Sequence, residues 1–299
     1  MKEHKLLDGK AFASELRAQL KGEVEELRKG GTRAPGLAVV LVGDDPASAS
    51  YVRGKERACE EVGISSFHHG LDAAVSEEEL IQLIDTLNAD PLVDGILVQL
   101  PLPAHINEKR VTERIDPAKD ADGLHPVSVG HLSLEEEAFI ACTPHGIIKL
   151  LEHENIKTEG AHVVIVGRSN IVGKPLASLF LRKHPMGNAT VTVCHSRTPD
   201  LASFTRSADI LVAAIGRPAF ITGDMVKRGA VVVDVGINRV EDAGRKRGYR
   251  LVGDVDFEGV LPVCSRITPV PGGVGPLTIA MLLFNTLAAA RMHLSGGTS

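Results

Sequence analysis

Ser48, Tyr51 and Lys55 stand at i, i+3 and i+7, so on a helix a hydroxyl, a phenol and an amine share one face. An amine in such company can move protons near neutral pH only if burial or a neighbouring cation lowers its pKa from ~10.4. Taken alone, a helical lysine is most often a solvated surface residue. Gln99 closes the apolar run Gly95 to Leu100, ahead of Pro101-Leu102-Pro103, where its amide must be hydrogen-bonded or face a ligand. Asp122 lies in Lys119-Asp120-Ala121-Asp122-Gly123, a stretch similar to a calcium loop. Its glycine is misplaced, however, and position 131 is His rather than a closing Glu. No metal is expected.

A second kind of chemistry is spelled by glycines and cations. The apolar run His162 to Val166 leads into Gly167-Arg168-Ser169-Asn170-Ile171-Val172-Gly173-Lys174-Pro175 and then an apolar helical segment. Strand, glycine turn and helix N-terminus together form the context that receives a phosphate. Glycine holds only the first and last points of the turn, so G-x-G-x-x-G is not met and a plain tight turn is the alternative. Gly167 and Ser169 also fit G-x-S-x-G, but Ile171 breaks that pattern and excludes a nucleophile elbow. The next strand ends in Cys194-His195-Ser196-Arg197-Thr198, where an NAD enzyme would place an acidic residue on the ribose. Hydroxyls and a guanidinium instead suit a 2′-phosphate, with Arg168 as a second cation, so NADP is expected over NAD. A solvated surface turn is the other reading of this segment.

The elements that must position these groups follow from periodicity. Phe12, Leu16, Leu20, Val24 and Leu27 mark a first helix ended by Gly30 and Gly31. Gly36 to Val42 reads as a strand buried on both faces; Asp45 and Pro46 cap a second helix that Gly63 stops. Ser76 and Glu79 form a capping box before a third helix. After Thr143 and Pro144 a helix runs to about His153. Strands then fit His162 to Val166, Ala189 to Cys194, Asp209 to Ala214 and Ala230 to Val235, with helical segments between the first pairs. That alternation implies right-handed crossovers and a parallel sheet. The expected fold is α/β in two domains, the second a Rossmann-like doubly wound parallel sheet. A charged hairpin is expected around Glu241 to Arg250.

Composition narrows the function classes. The chain has 299 residues and is 43% hydrophobic, enough for two cores. A net charge of −5, no Trp, two Tyr and eight Phe give neither the basic field nor the stacking platforms of a nucleic-acid binder. Cys59, Cys142, Cys194 and Cys264 are far apart and read as reduced thiols. Met1 to Lys10 alternates charge without an apolar signal region, so the cytoplasm is expected. Arg266 to Arg291 encloses an uncharged run. Pro and Gly fill its first half, only the part after Pro276 is expected to be helical, and that part falls short of the ~20 apolar residues a bilayer needs. A buried helix and no membrane partner are expected.

The motifs together resemble the bifunctional methylenetetrahydrofolate dehydrogenase/methenyltetrahydrofolate cyclohydrolases across nearly the whole chain. The match rests on Val42-Gly43-Asp44-Asp45-Pro46-Ala47-Ser48 with Tyr51 and Lys55, on Gln99 to Pro103, and on Lys119 to Gly123. It continues through Cys142-Thr143-Pro144, Gly167 to Pro175, Asp234-Val235-Gly236-Ile237-Asn238 and Pro269-Val270-Pro271-Gly272-Gly273-Val274-Gly275-Pro276. Departures are Ser128, Ala141, Leu277 and Phe284.

The resemblance implies NADP-dependent oxidation of 5,10-methylenetetrahydrofolate to the methenyl form and hydrolysis of that product to 10-formyltetrahydrofolate. It implies a folate-binding domain at 1–143, an NADP domain at 144–274, a helix at 275–299 returning to the first, folate in a cleft between the domains, and a homodimer. It gives Lys55 the proton transfer, Gln99 its orientation, Tyr51 a place against the folate rings and Asp122 the pterin N–H groups. Ser48, Val98, Leu100, Pro271, Gly272 and Gly273 complete the folate contacts. NADP falls to Gly167, Arg168, Ser169, Val172 and Gly173, with Ser196, Arg197 and Ile237. Cis bonds are expected at Leu100-Pro101 and Val270-Pro271. Competing readings are an NADP dehydrogenase of a small hydroxy acid and a non-catalytic NADP sensor.

Overall fold

Glycine-bounded apolar runs became strands and capped amphipathic runs became helices, in a computed structural model that describes residues 5–245 and 248–296. The chain divides into two compact units. One comprises Ser14–Cys142 with the chain from Ile279 onward; the other comprises the stretch through Ala13 with Thr143–Thr278.

The first unit is built on a three-stranded parallel sheet of β1 (Gly36–Val42), β2 (Ser65–Leu71) and β3 (Gly95–Val98), in the order β2-β1-β3. All seven residues of β1 are buried, as a central strand covered on both faces requires. Ala38, Val40, Ile96 and Val98 pack with Leu80, Ile84 and Leu87 of the helix Glu77–Ala89. The helix Pro46–Val62 starts where the Asp45 carboxylate accepts the Ser48 N–H at 2.7 Å, and it ends at Gly63 in the left-handed region with φ 83°. The expected capping box is present: Ser76 Oγ accepts the Glu79 N–H, and the Glu79 carboxylate accepts that of Ser76. The strand expected over Gly95 to Leu100 is shorter, ending at Val98, although Gln99 N–H still donates to Val40 O at 2.9 Å.

The second unit holds a five-stranded parallel sheet. Its strands are β4 (His162–Val166), β5 (Thr190–Cys194), β6 (Ile210–Ala213), β7 (Val231–Asp234) and β10 (Arg266–Ile267), ordered β10-β7-β6-β4-β5. The chain leaves β4 for β5 on one side and returns to β6 on the other, so the order reverses at β4. An antiparallel hairpin of β8 (Asn238–Glu241) and β9 (Tyr249–Val252) occupies the charged segment expected there; Lys246 and Arg247 of its turn lie outside the described residues.

The last helix departs from expectation. It spans Val274–Gly296, so Pro276 lies inside its first turn instead of marking its limit. A proline there forfeits no intrahelical hydrogen bond, because the first-turn N–H groups have no partner in the helix anyway. Val274–Leu294 is consequently long and apolar enough to cross a membrane by length and composition, and 56% of its apolar window is buried within the protein. Both expected X–Pro bonds, Leu100-Pro101 and Val270-Pro271, are cis. All four cysteines are free and buried.

Candidate active site

In the first unit the helix Pro46–Val62 carries Ser48, Tyr51 and Lys55, and the end of β3 carries Val98, Gln99 and Leu100. The two elements meet through one hydrogen bond: Lys55 Nζ donates to Gln99 Oε1 at 2.8 Å. Gln99 Nε2 donates in turn to Leu100 O at 2.7 Å, which fixes the amide with its oxygen toward the amine. Lys55 is only 7% exposed, whereas Tyr51 is 41% exposed. Burial pushes the Lys55 ammonium below its ordinary pKa, against the Asp122 carboxylate, which pulls it upward. Burial likewise raises Asp122, with Asp120 adding to the rise while Lys55 and the neighbouring Cys142 oppose it. The amine is thus held by the amide, while amine and carboxylate each act on the other's charge.

The backbone under Asp122 is fastened from several directions. Gly123 has φ 70°, and a side chain there would run into the Ile140-Ala141 backbone. Asp120 accepts the His125 N–H at 2.8 Å and the Ser128 hydroxyl at 2.7 Å, so the departure at Ser128 is itself part of the support. Asn285, buried on the last helix, donates to Ala121 O at 2.9 Å and Ile140 O at 3.0 Å. The Cys142 thiol also donates to Ala121 O, and burial first, then Asp122, hold its pKa well above the ordinary value. Of the other departures, Ala141 and Leu277 are buried, and Phe284 is partly exposed.

The second unit brings the expected cofactor residues to the ends of the strands. Gly167 has φ 136°, and a Cβ on it would strike Ala214 O; one on Gly173 would strike Gly167 O. Ser169 Oγ accepts the Val172 N–H at 3.2 Å, folding the turn back ahead of the helix Gly173–Leu181, which has no side-chain cap. Arg168, Ser196 and Arg197 are exposed. Past β5, His195 N–H donates to Thr198 Oγ1 and Arg197 N–H to His195 Nδ1, a tight turn that holds Ser196 and Arg197 outward. Ile237 is exposed just beyond β7. Pro271, Gly272 and Gly273 belong to this unit, apart from Lys55 and Gln99. Gly272 has φ 105° and its carbonyl accepts the Lys10 N–H at 2.8 Å, while a side chain on Gly273 would strike Pro269 O.

Two buried carboxylates support this region: Asp234, which the motif Asp234 to Asn238 contains but to which the sequence assigns no role, and Asp254, which no motif includes. Burial pushes Asp234 up to about 6 despite the N–H groups of Asp254, Val255 and Gly236 that it accepts. Asp254 is fully buried and accepts the N–H groups of Ile215, Gly216 and Arg217 and the Asn238 side-chain amide. Acidic residues after the apolar run Val231 to Val233 and before the apolar Val255 were the available signal.

Residues 7–122 match the profile of the tetrahydrofolate dehydrogenase/cyclohydrolase catalytic domain, and residues 141–294 match that of its NAD(P)-binding domain. The chain is 58% identical over 288 residues to the bifunctional protein FolD of Salinibacter ruber, covering 96% of each chain. Its fold is similar to the bifunctional methylenetetrahydrofolate dehydrogenase/cyclohydrolase FolD of Campylobacter jejuni, with TM-score 0.90, 50% identity, and coverage of 96% and 98% of the two chains. It is similar also to the Trypanosoma brucei dehydrogenase-cyclohydrolase solved with NADP and an inhibitor, with TM-score 0.92, 40% identity, and coverage of 97% and 98%.

Proposed function

Because the chain belongs to the tetrahydrofolate dehydrogenase/cyclohydrolase family, we propose that its two reactions share one folate site centred on Lys55, Gln99 and Asp122. It oxidises 5,10-methylenetetrahydrofolate to 5,10-methenyltetrahydrofolate with NADP and hydrolyses the product to 10-formyltetrahydrofolate. The observation that carries the site assignment is the buried Lys55 amine, held at 2.8 Å by Gln99 and lowered in pKa beside Asp122.

Bound NADP supplies the hydride acceptor. The residues present fit it. Gly167 and Gly173 leave room only for backbone at the turn, the helix after Val172 has no side-chain cap, and Ser196 and Arg197 stand exposed where an acidic residue would repel a 2′-phosphate. Hydride loss needs no general base, so for that step the folate-side residues position the carbon. Asp122 accepts the pterin N–H groups, and Tyr51 packs on the rings. Val98, Leu100 and Ser48 shape the wall beside them.

Hydration is different, because water adding to the cationic methenyl carbon must lose a proton. Lys55 takes it. An ammonium is no base, and two features favour the neutral amine: burial, and the like charge of the methenyl cation once bound. Ring opening then breaks the bond from that carbon to one folate nitrogen, which takes up a proton as the hydroxyl becomes the formyl carbonyl.

Purified protein given methylenetetrahydrofolate and NADP should show nicotinamide reduction by absorbance, followed by decay of the methenyl band. Turnover of small hydroxy acids instead, or NADP binding without turnover, would overturn the reading. Asp122→Ala should damage both activities together, because it loosens the substrate that both share. The family resemblance also supports a homodimer working in the cytoplasm, without nucleic-acid or membrane partners; a sedimentation mass of one chain would refute the dimer.

A further inference from the structure

In an open parallel sheet a ligand binds outside the carboxyl ends of the strands where their order reverses. Here that place lies between the ends of β4 and β6, flanked on one side by Gly167 and on the other by the turn Ala214-Ile215-Gly216-Arg217. Three successive N–H groups of that turn converge on one carboxylate. Ile215 and Gly216 donate to Asp254 Oδ2 at 2.6 and 2.8 Å, and Arg217 donates to Oδ1 at 3.0 Å. A fourth donor, Asn238 Nδ2, reaches Oδ1 at 2.9 Å from the residue directly after Ile237, at the exit of β7.

Asp254 is 0% exposed and comes from a distant part of the chain, after the β8–β9 hairpin. A buried carboxylate is tolerated only when its lone pairs are used, and four donors on two oxygens use them. Its own backbone is anchored in turn: Asp234 Oδ1 accepts the N–H of Asp254 at 2.8 Å and that of Gly236 at 2.9 Å, and Oδ2 accepts the N–H of Val255 at 3.0 Å. Two carboxylates in series thus tie the loops leaving β6 and β7 to each other. A Cβ on Gly236 would collide with the Asp254 carboxylate, so this contact also accounts for a glycine there.

We propose that Asp254 is a positioning residue for NADP: its buried carboxylate holds the Ile215-Gly216-Arg217 turn and Asn238 in the arrangement that receives the cofactor, without touching the cofactor itself. The inference rests on the NADP reading above. It separates from a general structural role because hydrolysis of methenyltetrahydrofolate consumes no NADP and uses Lys55 of the other unit.

Asp254→Asn keeps the shape but leaves one acceptor oxygen and turns an NH2 toward N–H donors. The KM for NADP should rise about tenfold or more, with the folate KM and the cyclohydrolase kcat/KM within about twofold of wild type. Asp256→Asn is the control, since the Asp256 side chain caps the short helix Phe257–Val260 and bonds neither loop, and its backbone bond to Ile221 O survives the change. Equal loss of both activities, no change in the NADP KM, or an equal rise in Asp256→Asn would each overturn the proposal. Should Asp254→Asn fail to fold by circular dichroism, Asn238→Ala removes one donor and spares the carboxylate. It must then raise the NADP KM several-fold with cyclohydrolase intact, and an unchanged KM overturns the proposal. Wild-type protein that fails to reduce NADP with methylenetetrahydrofolate would remove the underlying reading; wild-type turnover with an unaffected Asp254→Asn removes only this one.

Discussion

In the unit Ser14–Cys142 the group proposed to move the proton, Lys55, is buried and hydrogen-bonded to the half-buried Gln99, with the half-buried Asp122 acting on its charge. In the other unit, Arg168 and Arg197 stand in solvent with Ser196 and Ile237, beside a turn in which Gly167 and Gly173 leave room only for backbone. Both arrangements place a cation for an anionic or reacting group, yet only one is buried. A group that must change protonation needs a surrounding that shifts its pKa, and burial supplies the shift. A group that only reads a phosphate keeps its charge throughout, so nothing is gained by desolvating it before the ligand arrives.

The largest expected effect tests the buried side of this contrast. Lys55→Met keeps the helix and the bulk but removes the amine, so cyclohydrolase activity should fall by the ~100 to 10,000 fold of a lost general base. Dehydrogenase turnover should survive better. Loss of both in equal proportion, with NADP affinity intact, would erase the contrast and make Lys55 a positioning group.

On the exposed side, Arg197→Ala or Arg168→Ala should weaken NADP about 10 to 150 fold, the worth of a hydrogen bond to a charged group, and leave NAD nearly unchanged. Thermal stability should not move. Equal losses for the two cofactors, read by calorimetric titration, would show that neither arginine reads the 2′-phosphate.

A third test compares buried carboxylates across the two units. Burial works against the Asp94 charge, yet Arg33, the Gly36 N–H and His293 together hold its carboxyl below the usual range. Its contribution to stability is therefore present above the ordinary carboxylate pKa and lost as pH falls through the lower folded value. Asp234, raised to about 6, has the opposite sign: its contribution is present below ~3.9 and is lost as pH rises through the folded value. Asp94→Asn should cost about 1 to 3 kcal/mol at pH 7 and progressively less toward pH 3 in urea unfolding, the Arg33 partner being partly solvated. A cost independent of pH would refute the charge as its origin.

The smallest effect is local. Ser76→Ala removes the side chain that caps the helix Glu77–Ala89 and should lower stability by ~1 kcal/mol while both activities persist. An activity loss from this change would mean that the helix is coupled to the site.

What could be read in advance depended on where the partners lay. The helix bearing Lys55 is spelled locally by Asp45, Pro46 and Gly63, and the strand leading into the glycine turn is an apolar run. β2 escaped notice because Ser-Ser-Phe-His-His-Gly-Leu is polar and largely exposed; it is an edge strand, held mainly by its backbone pairing to β1. The start of the last helix was placed too late because a proline was read as a boundary when it occupied the first turn. Asp254 and Asn285 escaped for another reason. Most of their partners are main-chain groups in remote segments, and a backbone amide has no letter in the sequence.

Asn285 gives the folate-side unit a timetable. The segment bearing Asp122 leaves the ribosome long before the helix that supplies the amide for Ala121 O and Ile140 O. Until that helix emerges, these carbonyls lack the Asn285 donor, and the loop that aims Asp122 is held only by contacts made within the earlier sequence. The unit that uses the first strands to be synthesised is therefore among the last to be finished, and a nascent chain stopped short of Asn285 carries Lys55 and Gln99 without a fully fastened Asp122.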